Sequence, residues 1–204
     1  MTNALIMVDL QNDFCPGGSL PVAGGDTLMA IANRLQTVFD CVVASRDWHP
    51  QGHKSFACSH PGKVPGDVIS LGGLAQILWP VHCVQDTQGA EFHSDLVTSY
   101  IQHIVYKGTD PEIDSYSAFF DNAHKRDTGL AAFLRGRGIK ELWLMGLATD
   151  YCVKYSCLDA VSLGFKVYLI TDACRGVELT VGDCASALQE MTAAGVIPVL
   201  ADQV

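Results

Sequence analysis

The sequence predicts a doubly wound, three-layer α/β/α domain built on a mostly parallel six-stranded sheet. Six short runs rich in Val, Ile and Leu alternate with longer amphipathic segments along the chain. The runs are almost continuously apolar, which is typical of strands buried on both faces, and the segments between them are long enough for crossover helices. The predicted strands are residues 4–10, 41–45, 101–107, 141–147, 166–171 and 196–200.

Cap and stop residues place the predicted helices between these strands. The predicted helices are residues 26–39, residues 129–137 with Asp127 or Thr128 as cap and Gly138 as stop, and two helices that begin after Thr149 and after Val181. One stretch, residues 49–97, is rich in Gly, Pro and His and is predicted to be a long irregular loop. A loop of that length inside a compact domain is usually functional or disordered.

The composition bounds the function. The chain has 204 residues, 49% of them hydrophobic, so one domain over residues 1–204 is expected. A net charge of -9 without clustered Lys and Arg excludes nucleic acid as an expected partner. No stretch approaches the roughly 20 apolar residues of a membrane span, and no export signal precedes Asp9. We therefore expect a soluble cytoplasmic protein, with no membrane partner, whose eight cysteines remain thiols.

Chemically capable side chains follow four predicted strands. Asp9 ends the first strand, Asp47 follows the second and Lys107 ends the third, while Cys152 follows the fourth. Ligands of open parallel sheets bind outside the carboxyl ends of the strands. One charged residue at a strand end is weak evidence, because strand ends meet water in any case. Four such residues converging on one edge predict a reactive site.

Cys152 stands in the stretch GLATDYCV, shortly after a strand. Either Thr149 or Asp150 can cap the helix that follows, so the thiol is expected in the first helical turn. The positive helix end and the Lys107 ammonium both favour the thiolate there. The alternative is a buried cysteine that only packs at a strand–helix joint, since unpaired cysteine is among the most buried residue types.

Attack on an amide needs a proton acceptor and donors for the oxyanion. Asp9 is the candidate acceptor of the thiol proton. The first-turn N–H groups lack partners within a helix, so those of Ala148 and Cys152 are the candidate donors.

The long loop contains a second group of candidate residues. DWHPQGHKSF supplies Asp47, His49 and His53, and WPVHCVQD adds His82. One carboxylate with two or three imidazoles suits a divalent ion such as zinc, iron or manganese. The alternative is a scatter of surface histidines. His53 stays undecided between a direct ligand and a residue that orients one.

Apolar side chains stand on the loops that leave the same edge. They are Phe14, Leu20, Trp79 and Tyr116. Each is as typical of a core as of a pocket when it is considered alone, but their shared placement predicts a small pocket with flat walls.

Five stretches together resemble the bacterial nicotinamidases, which also deamidate pyrazinamide and belong to the isochorismatase-like cysteine hydrolases. The stretches are VDLQNDFCPGGSLPV, DWHPQGHKSF, WPVHCVQDTQGAEF, YKGTDPEIDSYSAFFDN and GLATDYCV, and the resemblance covers nearly the whole chain. It implies an isochorismatase-like fold and a metal-dependent amidohydrolase. Such an enzyme converts nicotinamide to nicotinate and ammonia through a cysteine thioester, in NAD salvage.

The resemblance also implies a role for each site residue. It implies a catalytic triad of Asp9, Lys107 and Cys152, an oxyanion hole of Ala148 and Cys152 after a cis Leu147–Ala148 peptide, metal ligands Asp47, His49 and His82, and substrate contacts Phe14, Leu20, Trp79 and Tyr116. The implied cofactor is one divalent metal ion, zinc first, with iron or manganese as alternatives. The implied partner is the small molecule nicotinamide, and homo-oligomer formation stays open.

Two alternative functions remain at this stage. An isochorismatase acting on a vinyl ether would need no cysteine nucleophile, so Cys152 and the metal loop disfavour it. A non-catalytic metal-binding or thiol-redox protein would be expected to carry a close cysteine pair such as Cys-x-x-Cys, which the sequence lacks.

Overall fold

Six parallel strands form the central sheet of the computed structural model, which describes residues 3–204. In chain order, the strands are β1 (Asn3–Val8), β2 (Val42–Asp47), β3 (Val68–Leu71), β4 (Leu74–Ile77), β5 (His103–Lys107), β6 (Glu141–Leu147), β7 (Lys166–Arg175) and β8 (Ile197–Val199). The sheet order is β5-β2-β1-β6-β7-β8, and β3 and β4 form a separate hairpin. All six predicted strands are present, and the predicted fold class is confirmed.

Two interior strands of the sheet, β1 and β2, explain the apolar runs of the sequence. Every residue of β2 is buried, and so is every residue of β1 after Asn3. A strand buried on both faces needs cover on both faces, which gives the three layers. The covering α-helices are α1 (Leu28–Leu35), α2 (Leu130–Gly136), α3 (Lys154–Ser162) and α4 (Asp183–Ala193). Among the described residues, no helix is long and apolar enough to cross a membrane.

Helix α1 is shorter than the predicted segment 26–39. A 3₁₀ turn precedes it, and the bonds from Thr37 N to Arg34 O and from Val38 N to Leu35 O tighten the chain after it. Turns of this kind are common at helix ends. Helix α2 is close to its prediction, because Gly138 with φ 72° follows its end.

The sequence predicted that the stretch 49–97 is an irregular loop, and the structure shows that part of it is regular. It contains the β3–β4 hairpin and the 3₁₀ turns Ala57–Ser59 and Gln88–Ala90. Gly72 and Gly73 connect the two strands with φ values of 59° and 88°, which is the backbone of a tight hairpin turn. A Gly-Gly pair between two short β-prone runs is a hairpin signal, and our sequence prediction missed it.

The order of the strands determines where a site can form. Strands β1, β2 and β5 extend the sheet in one direction, and β6, β7 and β8 extend it in the other. The crevice of such a sheet opens at the carboxyl ends of the strands where the direction reverses, here β1 and β6. Gly146 lets these two strands approach closely, because a side chain at this position would overlap the Val8 carbonyl.

Candidate active site and metal centre

Four side chains, at or just beyond the ends of four different strands, meet at this edge. Lys107 Nζ lies 2.8 Å from Asp9 Oδ2, 3.0 Å from Asp47 Oδ1 and 3.4 Å from Cys152 Sγ. All four residues are buried. The three residues predicted as a triad are therefore in mutual reach, with one ammonium between two carboxylates and a thiol.

Asp9 is held in place by the backbone and by a hydroxyl. Its φ of 51° is uncommon outside glycine and turns the chain directly after β1. Ser45 Oγ donates to Asp9 Oδ1 at 2.6 Å. Asp9 Oδ2 forms a close ion pair with the Lys107 ammonium at 2.8 Å. The carboxyl also acts on the Cys152 thiol, whose pKa it raises, so it is placed to exchange a proton with the sulfur.

Burial controls the protonation of the centre. It raises the pKa of the Asp9 carboxyl, and Lys107 only partly offsets this effect. Burial also raises the pKa of the Cys152 thiol well above its ordinary value; Lys107 opposes the rise and Asp9 adds to it. Burial alone would lower the pKa of Lys107, but Asp47 and Asp9 outweigh it and raise that pKa. Lys107 lowers the pKa of the Cys152 thiol, as the sequence analysis expected, but burial and Asp9 raise it by more, so the balance favours the thiol over the thiolate.

The turn that carries Cys152 differs in detail from the predicted helix start. A single π-helical turn, Thr149–Val153, precedes α3 and begins after Ala148 without a side-chain cap. The predicted caps Thr149 and Asp150 are therefore wrong. The carbonyl of Ala148 accepts hydrogen bonds from Tyr151 N and Val153 N, and the Leu147–Ala148 peptide is cis, as the resemblance implied.

The candidate metal ligands also come together. Asp47 Oδ2 lies 3.0 Å from His49 Nε2 and 3.3 Å from His82 Nε2. The Nδ1 atoms of His49 and His82 lie 3.0 Å and 2.8 Å from the carbonyls of Gly108 and Pro80, to which they donate. Each Nε2 lone pair then faces the carboxylate, an arrangement that a shared cation stabilises. This donor set fits a divalent ion such as zinc, with coordination positions left for other ligands.

His53 is not grouped with Asp47 and His82, but with His49 and Asp114 it forms a second set of possible ligand atoms. Its Nδ1 contacts Ser55 Oγ at 2.7 Å and its Nε2 contacts the Asp110 carbonyl at 2.8 Å, so both ring nitrogens are engaged. The ring packs on that of His49, with centroids 4.3 Å apart. The contacts favour His53 as a neighbour that supports His49.

A small apolar pocket opens above the thiol. The residues around it are Phe14, Leu20, Asp47, Trp79, His82, Asp114, Tyr116, Ala148, Tyr151, Cys152 and Val177. All four predicted substrate contacts are among them. Tyr116 is fixed by its hydroxyl, which accepts hydrogen bonds from Trp79 Nε1 at 3.1 Å and from Gln76 Nε2 at 3.2 Å. The hairpin strand β4 thus supports the pocket wall through Gln76.

Sequence reasoning missed three residues of this pocket. Asp114 follows Lys107 within the same motif, and Tyr151 directly precedes Cys152, so proximity to a candidate residue was the available signal. Val177 follows β7 by two residues and carries no chemical group that would mark it.

Four histidines and the other cysteines lie outside the centre. His103 stacks on Phe133 with ring centroids 4.0 Å apart, and His124 stacks on Phe120 at 4.8 Å. The rings of His60 and His93 contact only neighbouring loop atoms. All eight cysteines are free thiols, as expected.

Fold and site together define an α/β protein with a buried cysteine, lysine and aspartate grouped at the switch point of its parallel sheet. The isochorismatase domain family matches residues 3–203, and the chain belongs to this family. It is 52% identical over 196 residues to a nicotinamidase of Escherichia coli, covering 94% of this chain and 92% of the relative. The sequence resemblance to nicotinamidases is confirmed.

Solved structures agree with this result. A nicotinamidase/pyrazinamidase of Acinetobacter baumannii superposes with a TM-score of 0.96 at 46% identity, covering 99% of this chain and 97% of the other. An L. infantum protein in complex with nicotinate gives 0.86 at 35% identity, with 98% and 93% covered. A pyrazinamidase of Pyrococcus horikoshii in complex with zinc gives 0.79 at 40% identity, with 98% and 99% covered.

Proposed function

We propose that the chain hydrolyses the carboxamide of nicotinamide to nicotinate and ammonia through a thioester on Cys152, and that it acts on pyrazinamide in the same way. The observation that carries the proposal is the contact of Lys107 with both Asp9 and Cys152 at the floor of an aromatic pocket. The similarity to nicotinamidases and to a nicotinate complex supports the choice of substrate. Because the product is a pyridine carboxylate that can enter NAD synthesis, we place the reaction in NAD salvage.

The first chemical step moves the thiol proton to Asp9. A thiol with a raised pKa stays protonated at rest, so the proton leaves during attack on the carboxamide carbon. Asp9 has a raised pKa and lies beside the thiol, which suit a base that takes this proton and later returns it. Lys107 remains an ammonium and offsets the negative charge as the sulfur bonds to carbon.

The later steps use the same groups. The backbone N–H groups of Ala148 and Cys152, both at the pocket, would donate to the tetrahedral oxyanion. Collapse of this intermediate breaks the C–N bond, and Asp9 returns its proton to the departing nitrogen as ammonia forms. Asp9 then takes a proton from water, and the water oxygen attacks the thioester carbon. As the C–S bond breaks, Asp9 returns this proton to the Cys152 sulfur, which leaves nicotinate and the free thiol.

Asp47, His49 and His82 would hold a divalent ion, with zinc as the first choice, beside the ring-binding part of the pocket. When bound, the ion supplies a Lewis acid for the pyridine nitrogen. The protein's own contribution there is to fix the ring plane between Phe14 and Trp79.

The direct test measures products. Purified protein with nicotinamide should release ammonia and nicotinate in equal amounts, and pyrazinamide should give ammonia and pyrazinoate. Absence of ammonia release from metal-loaded, folded protein would contradict the proposed function.

Replacing the ammonium, Lys107→Ala, should raise the pKa of the Cys152 thiol further, because Lys107 lowers it in the wild type. The pKa of Asp9 should rise as well, since the same ammonium lowers it. We expect deamidation to fall by about 10²-fold or more, as is typical when a general base is compromised. The pH midpoint of Cys152 alkylation by iodoacetamide, followed by peptide mapping, measures the first shift. An unchanged midpoint would show that Lys107 does not act on the thiol.

Benzamide tests recognition of the ring nitrogen. It has the carboxamide and nearly the flat shape of nicotinamide but lacks the nitrogen, so we expect kcat/KM lower by at least about 10²-fold. His82→Ala and chelation should both reduce the difference in kcat/KM between the two amides, because they remove the ion proposed to bind the ring nitrogen. His93→Ala, outside the site, serves as control. Equal losses for both amides would instead indicate a structural or directly chemical role for the ion.

A further inference from the structure

One wall of the pocket is held by the turn that carries the nucleophile. Val177 lies beyond the end of β7, yet its backbone N–H donates to Asp150 Oδ1 at 3.0 Å. The next N–H, that of Glu178, donates to Asp150 Oδ2 at 2.8 Å. Asp150 is buried and stands two residues before Cys152 in the same π-helical turn. Both oxygens of one carboxylate therefore join the wall to the nucleophile's turn.

The joint is tight as well as charged. Hydrogen bonds to a carboxylate are shorter and stronger than neutral ones. A side chain at Gly176 would overlap the Cys184 sulfur and approach Asp150 Oδ1 to 3.1 Å, so only glycine lets the segment lie this close to the turn. Val177 and Cys152 both border the pocket. The short segment that carries Val177 is held by two backbone hydrogen bonds to Asp150.

We propose that Val177 determines specificity by limiting the pocket to flat, unsubstituted six-membered ring carboxamides, and that Asp150 is the positioning residue that keeps it there. The proposal rests on the deamidation proposed above and adds its substrate class. Val177 is half-buried and apolar, and Trp79, which also borders the pocket, packs edge-on against Tyr151 with ring centroids 4.9 Å apart. We expect a substituent on the bound ring to collide with Val177, which the two backbone hydrogen bonds hold in place.

The first test shortens the wall. Val177→Ala should raise the ratio of kcat/KM for ring-methylated nicotinamides to that for nicotinamide, by at least about tenfold for one or more methyl isomers, which is the usual effect of a methyl group in an apolar pocket. Val181→Ala is the matched control, because Val181 lies in the same segment but is 98% exposed. It should leave the ratio unchanged. If no methyl isomer gains relative to nicotinamide in Val177→Ala, the specificity role is wrong.

The second test separates positioning from plain stability. Asp150→Asn places an amide NH₂ against the backbone N–H of Val177 or of Glu178, so one of the two hydrogen bonds is lost and the segment that carries Val177 is held less firmly. The ratio of kcat/KM for ring-methylated nicotinamides to that for nicotinamide should rise, as is expected for Val177→Ala. In the double variant the second substitution should add little to the ratio, because coupled residues are non-additive. Equal losses of kcat/KM for all amides in Asp150→Asn, with an unchanged ratio, would leave Asp150 merely structural and overturn its assignment.

A third measurement does not depend on the enzymatic activity. Iodoacetamide and the bulkier N-phenyl iodoacetamide both alkylate thiols, and peptide mapping reports the rate at Cys152. Val177→Ala should increase the rate at which N-phenyl iodoacetamide alkylates Cys152, relative to the rate with iodoacetamide. If this shift occurs while the wild type releases no ammonia from nicotinamide, the wall assignment stands and the proposed function fails. If the wild type is active and neither the alkylation ratio nor the substrate ratio moves, the inference is overturned and the proposed function stands.

Discussion

Replacement of the nucleophile, Cys152→Ala, should leave the fold intact and lower kcat for nicotinamide by a factor on the order of 10⁶, as loss of the nucleophile does in other covalent hydrolases. The reason is that the thioester forms on the Cys152 sulfur, so without this atom the covalent route is closed. Binding and oxyanion donors would leave a small residual rate. Ammonia release under saturating nicotinamide measures the loss, and mass spectrometry of the wild type should detect the thioester.

Cys157→Ala provides the matched control for this variant. Cys157 is also a buried thiol, located one turn further along in α3, and does not border the pocket. Its removal should affect stability but leave deamidation close to the wild-type rate. Substantial activity in Cys152→Ala would end the cysteine mechanism and favour direct attack by water.

The variant Asp9→Asn should separate two properties of the site in opposite directions. Deamidation should fall by about 10²–10⁴-fold, the range typical of a lost general acid–base group. The thiol should become easier to ionise, because the Asp9 carboxylate raises the pKa of Cys152 and a neutral amide does not. The pH midpoint of alkylation should therefore move down, whereas Lys107→Ala moves it up.

Asp159→Asn is a suitable control for the loss of a buried carboxylate. Asp159 lies on α3 and does not border the pocket. Its Oδ1 is 3.2 Å from His124 Nε2. It should change neither deamidation nor the alkylation midpoint appreciably. An alkylation midpoint that rises in Asp9→Asn would mean that Asp9 does not face the thiol, even if activity is lost.

The sheet and its reactive edge could be predicted because their signals are local. Buried parallel strands produce long apolar runs, and Asp9, Asp47 and Lys107 each directly end such a run. The sheet topology then brings the strand ends together. The candidate metal ligands could be predicted for a similar reason, since an Asp followed two residues later by His is a recognisable pair of possible ligands.

Other features depend on distant parts of the chain and have no local signature. The raised pKa of the Cys152 thiol follows from its burial beside Asp9. The residues of the GLATDYCV stretch do not by themselves indicate this burial. Asp150 resembles a helix cap in sequence, but it bonds to Val177 and Glu178, which lie more than 25 residues away. Local capping rules cannot anticipate a partner that only the folded sheet supplies.

The central position of β1 bears on how the protein is made. This strand is synthesised before the other strands of the sheet, whereas its neighbour β6, which pairs Gly146 with Val8, is synthesised much later. Until that partner emerges, one edge of an almost wholly apolar strand has no complement, and pairing over such a sequence distance is slow. The nascent chain is thus open to aggregation during most of its synthesis. Since Asp9 and Cys152 follow these two strands, catalytic competence can arise only as the sheet closes.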